Sequence, residues 1–259
     1  MGEPPLAGKN ALITGASRSK GIGAAIAHAL ASKGVNLFLC GYLAGDQEIF
    51  PDAGPDDRQQ WIAALSRSGV KIAHLDLDIS DPKAPARLFD AAENVLGQID
   101  ILVNNATYSR NNSIHSLNAE ELDRHYAVNV RAPALLCAEF VRRFHGTSGG
   151  RIINLSSGQG LGPMSDELAY AATKGAMDTF TISACPPLAK QGITINAVDP
   201  GPTDTGWMTP ELQRHLRETF PQGRIGQPED AARLVCFLAS PEAAWVTGQI
   251  IHSRGGFYG

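Results

Sequence analysis

Tyr170 and Lys174 stand four residues apart in an Ala-rich run, and Ser157 lies thirteen residues before Tyr170. In a helix, residues at i and i+4 share one face, one turn apart. A phenol and an ammonium held that way form a proton-transfer device. A free tyrosine ionises near pH 10 and is a poor acid-base group at neutrality. A neighbouring positive charge favours the phenolate and lowers that pKa. The pair could then exchange a proton with an alcohol or carbonyl oxygen. Taken alone, Tyr-x-x-x-Lys is just as readily a solvated helix face, and a serine after a strand commonly caps or turns. The elements around the three residues decide between these readings.

The apolar run Arg151 to Ser156 reads as a buried strand with Ser157 at its C-terminal tip. Strand tips are where open α/β sheets bind ligands. Six more such runs, Asn10–Thr14, Val35–Cys40, Val70–Asp76, Ile99–Asn104, Gly192–Val198 and Thr247–His252, bring the expected strands to seven. Helical stretches at Ala24–Lys33, Gln59–Ser68, Pro82–Leu96, Ala119–Phe144, from Tyr170 and from Gln227 alternate with them. The alternation predicts one α/β domain over residues 1–259, a parallel sheet covered on both faces. Residues 41–57, rich in Gly, Pro and Asp, read as a long mobile loop. Residues 202–223 read as a flap with Trp207 and Met208 on its apolar inner face. Asp81 suits a helix N-cap with Pro82 at the first helical position. Pro133 should kink the helix around it, and Pro186 and Pro187 should kink or stop theirs near Cys185.

Composition narrows the function classes. A hydrophobic share of 43% in 259 residues supplies a full core. A net charge of −4 without a basic block does not suggest nucleic acid or an anionic membrane as partner. No apolar run approaches the length of a bilayer span. Residues 1–10 lack the pattern of a signal peptide. The four cysteines, at 40, 137, 185 and 236, show no Cys-x-x-Cys spacing, so free thiols in a cytoplasmic protein are expected and no metal site is.

Gly15-Ala-Ser-Arg-Ser-Lys-Gly-Ile-Gly23 sits between the first strand and the first helix. Glycines let a backbone approach a pyrophosphate, and a helix start offers unpaired N–H groups and a positive dipole end. The tip of the second strand, Cys40-Gly41-Tyr42, carries no carboxylate before Asp46. An acid at that tip would bind a ribose 2′-hydroxyl and repel a 2′-phosphate. With Arg18 and Lys20 in the glycine-rich loop, the pattern favours NADP(H) over NAD(H). Asp78, after the third strand, could accept from an adenine amino group. Asn129, between two valines inside a helix, must find partners if buried, or could hold a water if it faces a cleft.

In sum of order and spacing, the chain resembles the short-chain dehydrogenase/reductase family over nearly its whole length. The elements that carry the likeness are Thr14-Gly15, Gly21-Ile22-Gly23, Asp78, Asn104-Asn105-Ala106, Asn129, Ser157, Tyr170-x-x-x-Lys174, Asn196-Ala-Val and Pro200-Gly201-Pro202-x-x-Thr205. The nearest likeness is to the 3-oxoacyl-(acyl-carrier-protein) reductase-like branch. The resemblance implies a Rossmann-type, doubly wound, seven-stranded parallel sheet. It implies Tyr170 as general acid or base, Lys174 as the group that lowers its pKa and binds the nicotinamide ribose, and Ser157 as the residue that positions the substrate oxygen. Asn129 would hold a water of a proton relay. Gly15, Ser17, Arg18, Ile22, Asp78, Ile79, Asn105, Ala106, Tyr170, Lys174, Pro200 and Thr203 would line the cofactor. A homotetramer or dimer is also implied, with the helix from Tyr170 at a subunit interface. Four features depart from the family pattern: the inserted Ser19 and Lys20, Thr107 after Asn-Asn-Ala, Arg254 where many members have Asp, and the Pro186-Pro187 pair.

The activity expected on these grounds is NADPH-dependent reduction of a carbonyl, in a 3-oxoacyl group or another ketone. An NAD-dependent alcohol or sugar dehydrogenase on the same site and a non-catalytic dinucleotide-binding sensor are the alternatives. Tyr108, Gln159, Leu161, Met164, Trp207 and Met208 are expected to line a mostly apolar substrate pocket.

Overall fold

The computed structural model describes residues 6–50 and 53–258. The apolar runs become seven strands: β1 (Asn10–Thr14), β2 (Asn36–Gly41), β3 (Ile72–Asp76), β4 (Ile101–Asn104), β5 (Gly150–Leu155), β6 (Ile193–Asp199) and β7 (Ile250–His252). All pairs are parallel, in the spatial order β3-β2-β1-β4-β5-β6-β7. The helices are α1 (Ile22–Ala31), α2 (Leu43–Ile49), α3 (Pro55–Leu65), α4 (Ala84–Leu96), α5 (Ala119–Tyr126), α6 (Ala132–Arg143), α7 (Leu168–Ala189), α8 (Pro210–Thr219) and α9 (Pro228–Ala239).

Alternate residues of each strand feed two core layers, as the period of a strand requires. Ala11 and Ile13 join Ile26 and Leu30 of α1 and Val235 and Leu238 of α9 on one face. Leu12 joins Leu88 of α4, Leu136 and Phe140 of α6 and Leu188 of α7 on the other. Each fully buried side chain of this size contributes roughly 1.5–3 kcal/mol. Both faces of the sheet are therefore sealed, and the strand tips are left to carry chemistry. The strand order reverses between β1 and β4, which opens a crevice at their C-terminal ends. Among the described residues no helix is long and apolar enough to cross a membrane.

Several local expectations are corrected. The stretch 41–57 is not one long loop. It holds α2 and the start of α3, with Pro51 and Asp52 outside the described residues. No residue of α2 is buried, so it has no apolar stripe to betray it. The helix 119–144 is α5 and α6 joined by a π-helical turn, Ala127–Arg131. Pro133 lacks the N–H that would bond four residues back, and the wider turn accommodates it. Helix α7 runs through Pro186 and Pro187 to Ala189. Both prolines lie on its exposed side, where the carbonyls they leave unbonded can meet water. Asp81 does not cap α4: its Oδ1 accepts from Lys83 N in a turn, and the helix begins at Ala84.

Candidate active site

The tip of β5 and the first turns of α7 bring Ser157, Tyr170 and Lys174 together. The Ser157 and Thr107 hydroxyls both act on the Tyr170 phenol and favour its ionised form. Lys174 is buried, its Nζ donating to the Leu155 carbonyl at 2.7 Å and standing 5.4 Å from the centre of the Tyr170 ring. Helical spacing thus places both groups beneath the end of β5. The electrostatics differ from the sequence expectation. Burial pushes the Tyr170 phenol up to about 12, against the opposing hydrogen bonds from Ser157 and Thr107. Burial pushes the Lys174 ammonium down to about 8, with Asp178 opposing the shift. The phenol is thus a held proton rather than a ready phenolate. Lys174 is a cation close to losing its charge.

Asp178 sits one further turn along α7. Its carboxyl accepts from the Ser156 hydroxyl at 2.5 Å and from the Gln159 amide. Gln159 is therefore turned toward α7, away from the substrate lining expected of it. Burial raises the Asp178 pKa, while Ser156, Gln159 and Lys174 lower it.

Asn129 lies in the π-helical turn and is buried. Its Nδ2 donates to the Tyr108 carbonyl at 2.8 Å and to Thr173 Oγ1 at 3.1 Å. Its Oδ1 accepts from Tyr108 N at 2.8 Å and Thr107 Oγ1 at 3.2 Å. Both donors and both acceptor sites of the amide are engaged. The side chain is a strut between the β4 tip and α7, with no capacity left to hold a water.

A cavity of about 660 Å³ opens at the switch point. Of the expected cofactor residues it is lined by Gly15, Ser17, Asp78, Ile79 and Ala106, together with Asp46 and Thr107. Gly15 has a φ of +70°, and a Cβ there would lie 2.6 Å from Ala106 Cα. Only glycine lets the β1 and β4 tips close this far. Asn105 fastens them: its Nδ2 donates to the Thr14 and Gly15 carbonyls at 2.9 and 3.0 Å. Its side chain is thus spent on the backbone of the glycine-rich loop. Ile22 opens α1, whose N-terminus has no side-chain cap.

Ser19 is held by Asp57 of α3, through its N at 2.9 Å and its Oγ at 2.5 Å. Arg18 leaves the cavity: it donates to the Thr205 carbonyl at 2.6 Å, and its guanidinium lies 3.2 Å over the Phe50 ring. Lys20 lines a separate cavity beside Asp204 and Gly206. Asp46, in contrast, lines the main cavity with its Oδ2 buried and without a hydrogen bond. Burial raises its pKa, against the Ser17 hydroxyl and the Arg18 charge.

Pro200 and Thr203 follow β6, outside the lining of that cavity. Thr203 is buried and donates to the Gly201 carbonyl at 3.0 Å. The flap expected over 202–223 contains α8. Met208 is buried with Leu216, Phe220 and Ile225 in a small core of its own. Trp207 is half exposed, its Nε1 donating to the Thr203 carbonyl at 2.9 Å. The apolar lining expected of the pair therefore divides into a flap core and a surface ring.

The profile of the family described as Enoyl-(Acyl carrier protein) reductase matches residues 15–258, so the match takes in the glycine-rich loop, the Ser157–Tyr170–Lys174 group and the flap. The chain belongs to the short-chain dehydrogenase/reductase family. It is 50% identical to the uncharacterized oxidoreductase YjdA of Bacillus subtilis over 96% of each chain. It is 35% identical to the 3-oxoacyl-(acyl-carrier-protein) reductase FabG of Vibrio cholerae over 98% of each. Among solved structures, a short-chain dehydrogenase from Burkholderia cenocepacia in complex with NADP has a TM-score of 0.86 at 31% identity, covering 97% of this chain and 98% of that one. The protein is thus an NAD(P)-dependent short-chain oxidoreductase. Within such a family frame, four residues beside the site stand out because no motif drew attention to their contacts: Thr107, Asp178, Asp199 and Arg254. Only Thr107 and Arg254 left a trace in the sequence, as departures from the family pattern.

Proposed function

We propose that the protein reduces a ketone or aldehyde carbonyl to an alcohol, with Tyr170 as the proton donor. The observation that carries this reading is the placement of Tyr170: its ring stands 5.4 Å from the buried Lys174 amine, with Ser157 acting on its hydroxyl, and burial pushes the phenol up to about 12. A group that holds its proton through the neutral range is suited to give it up when an alkoxide develops beside it. Ser157 orients the substrate oxygen toward that proton. Lys174, charged below about pH 8, supports the loss of the phenolic proton and binds the ribose next to it. Asn129 acts by holding the Thr107 turn against α7, which keeps the Thr107 hydroxyl near Tyr170.

The residues fit a nicotinamide dinucleotide. The cavity at the switch point, the Gly15–Ala106 approach and the uncapped start of α1 form a cradle of the right kind. Gly15, Ser17, Asp78, Ile79 and Ala106, which line that cavity, would hold it together with Ile22 at the start of α1, with Asn105 shaping the loop. When bound, it supplies the hydride that adds to the carbonyl carbon. NADP(H) is favoured by the name of the Burkholderia complex and by Arg18 and Arg58, whose charges both reach the carboxyl of Asp46. A second reading, NAD(H), has one specific observation behind it. The orphaned Asp46 Oδ2 is a free acceptor in the cavity, suited to a ribose hydroxyl and repulsive to a 2′-phosphate.

The 3-oxoacyl substrates named for the FabG relatives are one candidate class. A homo-oligomer is supported by the exposed Leu122 and Tyr126 of α5 and Ile182 of α7. Cytoplasmic residence is supported by free, buried Cys40 and Cys137, whose thiols burial pushes up to about 12. The test is a cofactor-oxidation screen over ketones, aldehydes, 3-oxoacyl thioesters and quinones, with NADPH and NADH in parallel. Turnover that drops about 10²-fold or more in Tyr170→Phe supports the reading. Cofactor binding without turnover of any carbonyl would replace it with a sensor.

A further inference from the structure

Arg254 follows β7 and reaches back across the tips of β6 and β5. Its side chain is nine-tenths buried. Its Nε and Nη1 are buried and take no hydrogen bond among the described residues. The nearest carboxylate oxygen, Asp199 Oδ2, is 3.5 Å from Nη1 and already accepts from His252 Nδ1 at 2.8 Å. The other Asp199 oxygen accepts from Gly201 N at 2.8 Å. A guanidinium offers five N–H groups in a planar fork and cannot shed its charge. With two of its nitrogens unbonded in a buried place and its ion pair as long as 3.5 Å, it is costly, so a further anionic partner is the natural complement.

The fold clears a path for this one side chain. A Cβ on Gly158 would lie 2.1 Å from Arg254 Nη1, and one on Gly201 would lie 2.9 Å from its Cγ. Glycines on two different strand tips therefore admit it. Gly158 is the residue next to Ser157, so the fork stands beside the group that receives the substrate oxygen. Phe257 closes the far side, its ring 5.5 Å from the guanidinium carbon and stacked on Phe220 of the flap at 4.6 Å. Asp199 also reaches Tyr170 electrostatically. The cluster is thus part of the site and not a remote surface.

We propose that Arg254 is a substrate-binding residue that recognises a carboxylate on the carbonyl compound, so that the preferred substrates are oxo acids rather than neutral ketones or esters. The assignment rests on the reductase reading above and adds the substrate class. Asp199 and His252 act as positioning residues: they hold the β6–β7 tips, with the Asp199 oxygens already engaged by His252 and Gly201. A carboxylate would accept from the Arg254 guanidinium while its ketone oxygen lies at Ser157 and Tyr170.

The experiment compares kcat/KM for 2-oxo and 3-oxo acids of four to six carbons with their methyl esters, with both cofactors. Wild type is expected to favour the acids by tenfold or more. Arg254→Gln is expected to lower the acid-to-ester ratio by about tenfold to hundredfold, the scale of losing a charge-assisted hydrogen-bonded pair. Arg254→Lys should fall between, since it keeps the charge and loses the fork. Equal ratios in wild type and Arg254→Gln overturn the proposal while leaving the reductase reading intact. A second measurement needs no turnover: the rise in melting temperature with butyrate, a carboxylate that cannot be reduced. It should appear in wild type and vanish in Arg254→Gln. If no carbonyl is reduced yet that Arg254-dependent rise persists, the reductase reading fails and the carboxylate site stands. If Arg254→Gln does not fold, the Arg254→Lys ratio decides, and a ratio equal to wild type counts against the fork.

Discussion

At the scale of single residues, the proposed mechanism makes the pH profile depend on two burial shifts of opposite sense. Lys174 is held down to about 8, so its charge is lost as pH rises through that value. Tyr170 is held up to about 12, so its proton stays through the same range. The expected result is a kcat/KM for reduction that falls above about pH 8 and shows no separate tyrosine limb before about pH 11, measured by initial rates in overlapping buffers. A profile flat from pH 7 to 10 would mean that the Lys174 charge plays no part. The proposed NAD(H) reading makes Asp46 the residue that selects the cofactor. Asp46→Ser removes the carboxylate that faces the cavity, and the NADPH-to-NADH ratio of kcat/KM should rise by about tenfold or more, as when a like charge is taken from beside a phosphate. An unchanged ratio would place the 2′ group elsewhere. Ser157, Tyr170 and Lys174 were legible in the sequence because helical spacing and a strand end fix their relation. The partners of Arg18 and Arg254 were not. Thr205 and Asp199 lie on other elements, and nothing local records which carbonyl or carboxylate a long cation will reach.

At the scale of elements, the π-helical turn and the proline-bearing α7 carry the weight. Asn129→Ala would strand the Tyr108 N–H and carbonyl, both bonded to its amide in a buried turn. A loss of about 1–3 kcal/mol in urea unfolding is expected, the cost of leaving buried polar groups unpaired. Turnover should fall with it, since the Thr107 hydroxyl would no longer be fixed. Pro186→Ala would restore a helical N–H inside α7, and stability should rise by about 1–3 kcal/mol. An unchanged urea midpoint would show that α7 already bends to relieve the proline. The strands were readable as short apolar runs bounded by turns. Helix α2 was not, because it buries nothing and contains Gly45. The continuation of α7 was not, because composition cannot say that both prolines face outward.

At the scale of the whole molecule, the exposed Leu122, Tyr126 and Ile182 form unpaired apolar surface on α5 and α7. Ile182→Glu should shift the sedimenting species to a smaller one at equal protein concentration, while a monomeric wild type would remove the premise. The layered architecture followed from alternation alone, since a sheet apolar on both faces needs helices on both. The flap did not follow, because its inner core, Met208 with Leu216, Phe220 and Ile225, is separate from both main layers. One long-range contact ties the two ends of the catalytic machinery. Arg18, near the start of the chain, is bonded to Thr205, 187 positions later. The flap is thus stitched to the glycine-rich loop, and cutting that stitch should leave it loose. Arg18→Ala should be clipped by protease near residues 204–208 well before the parent chain is.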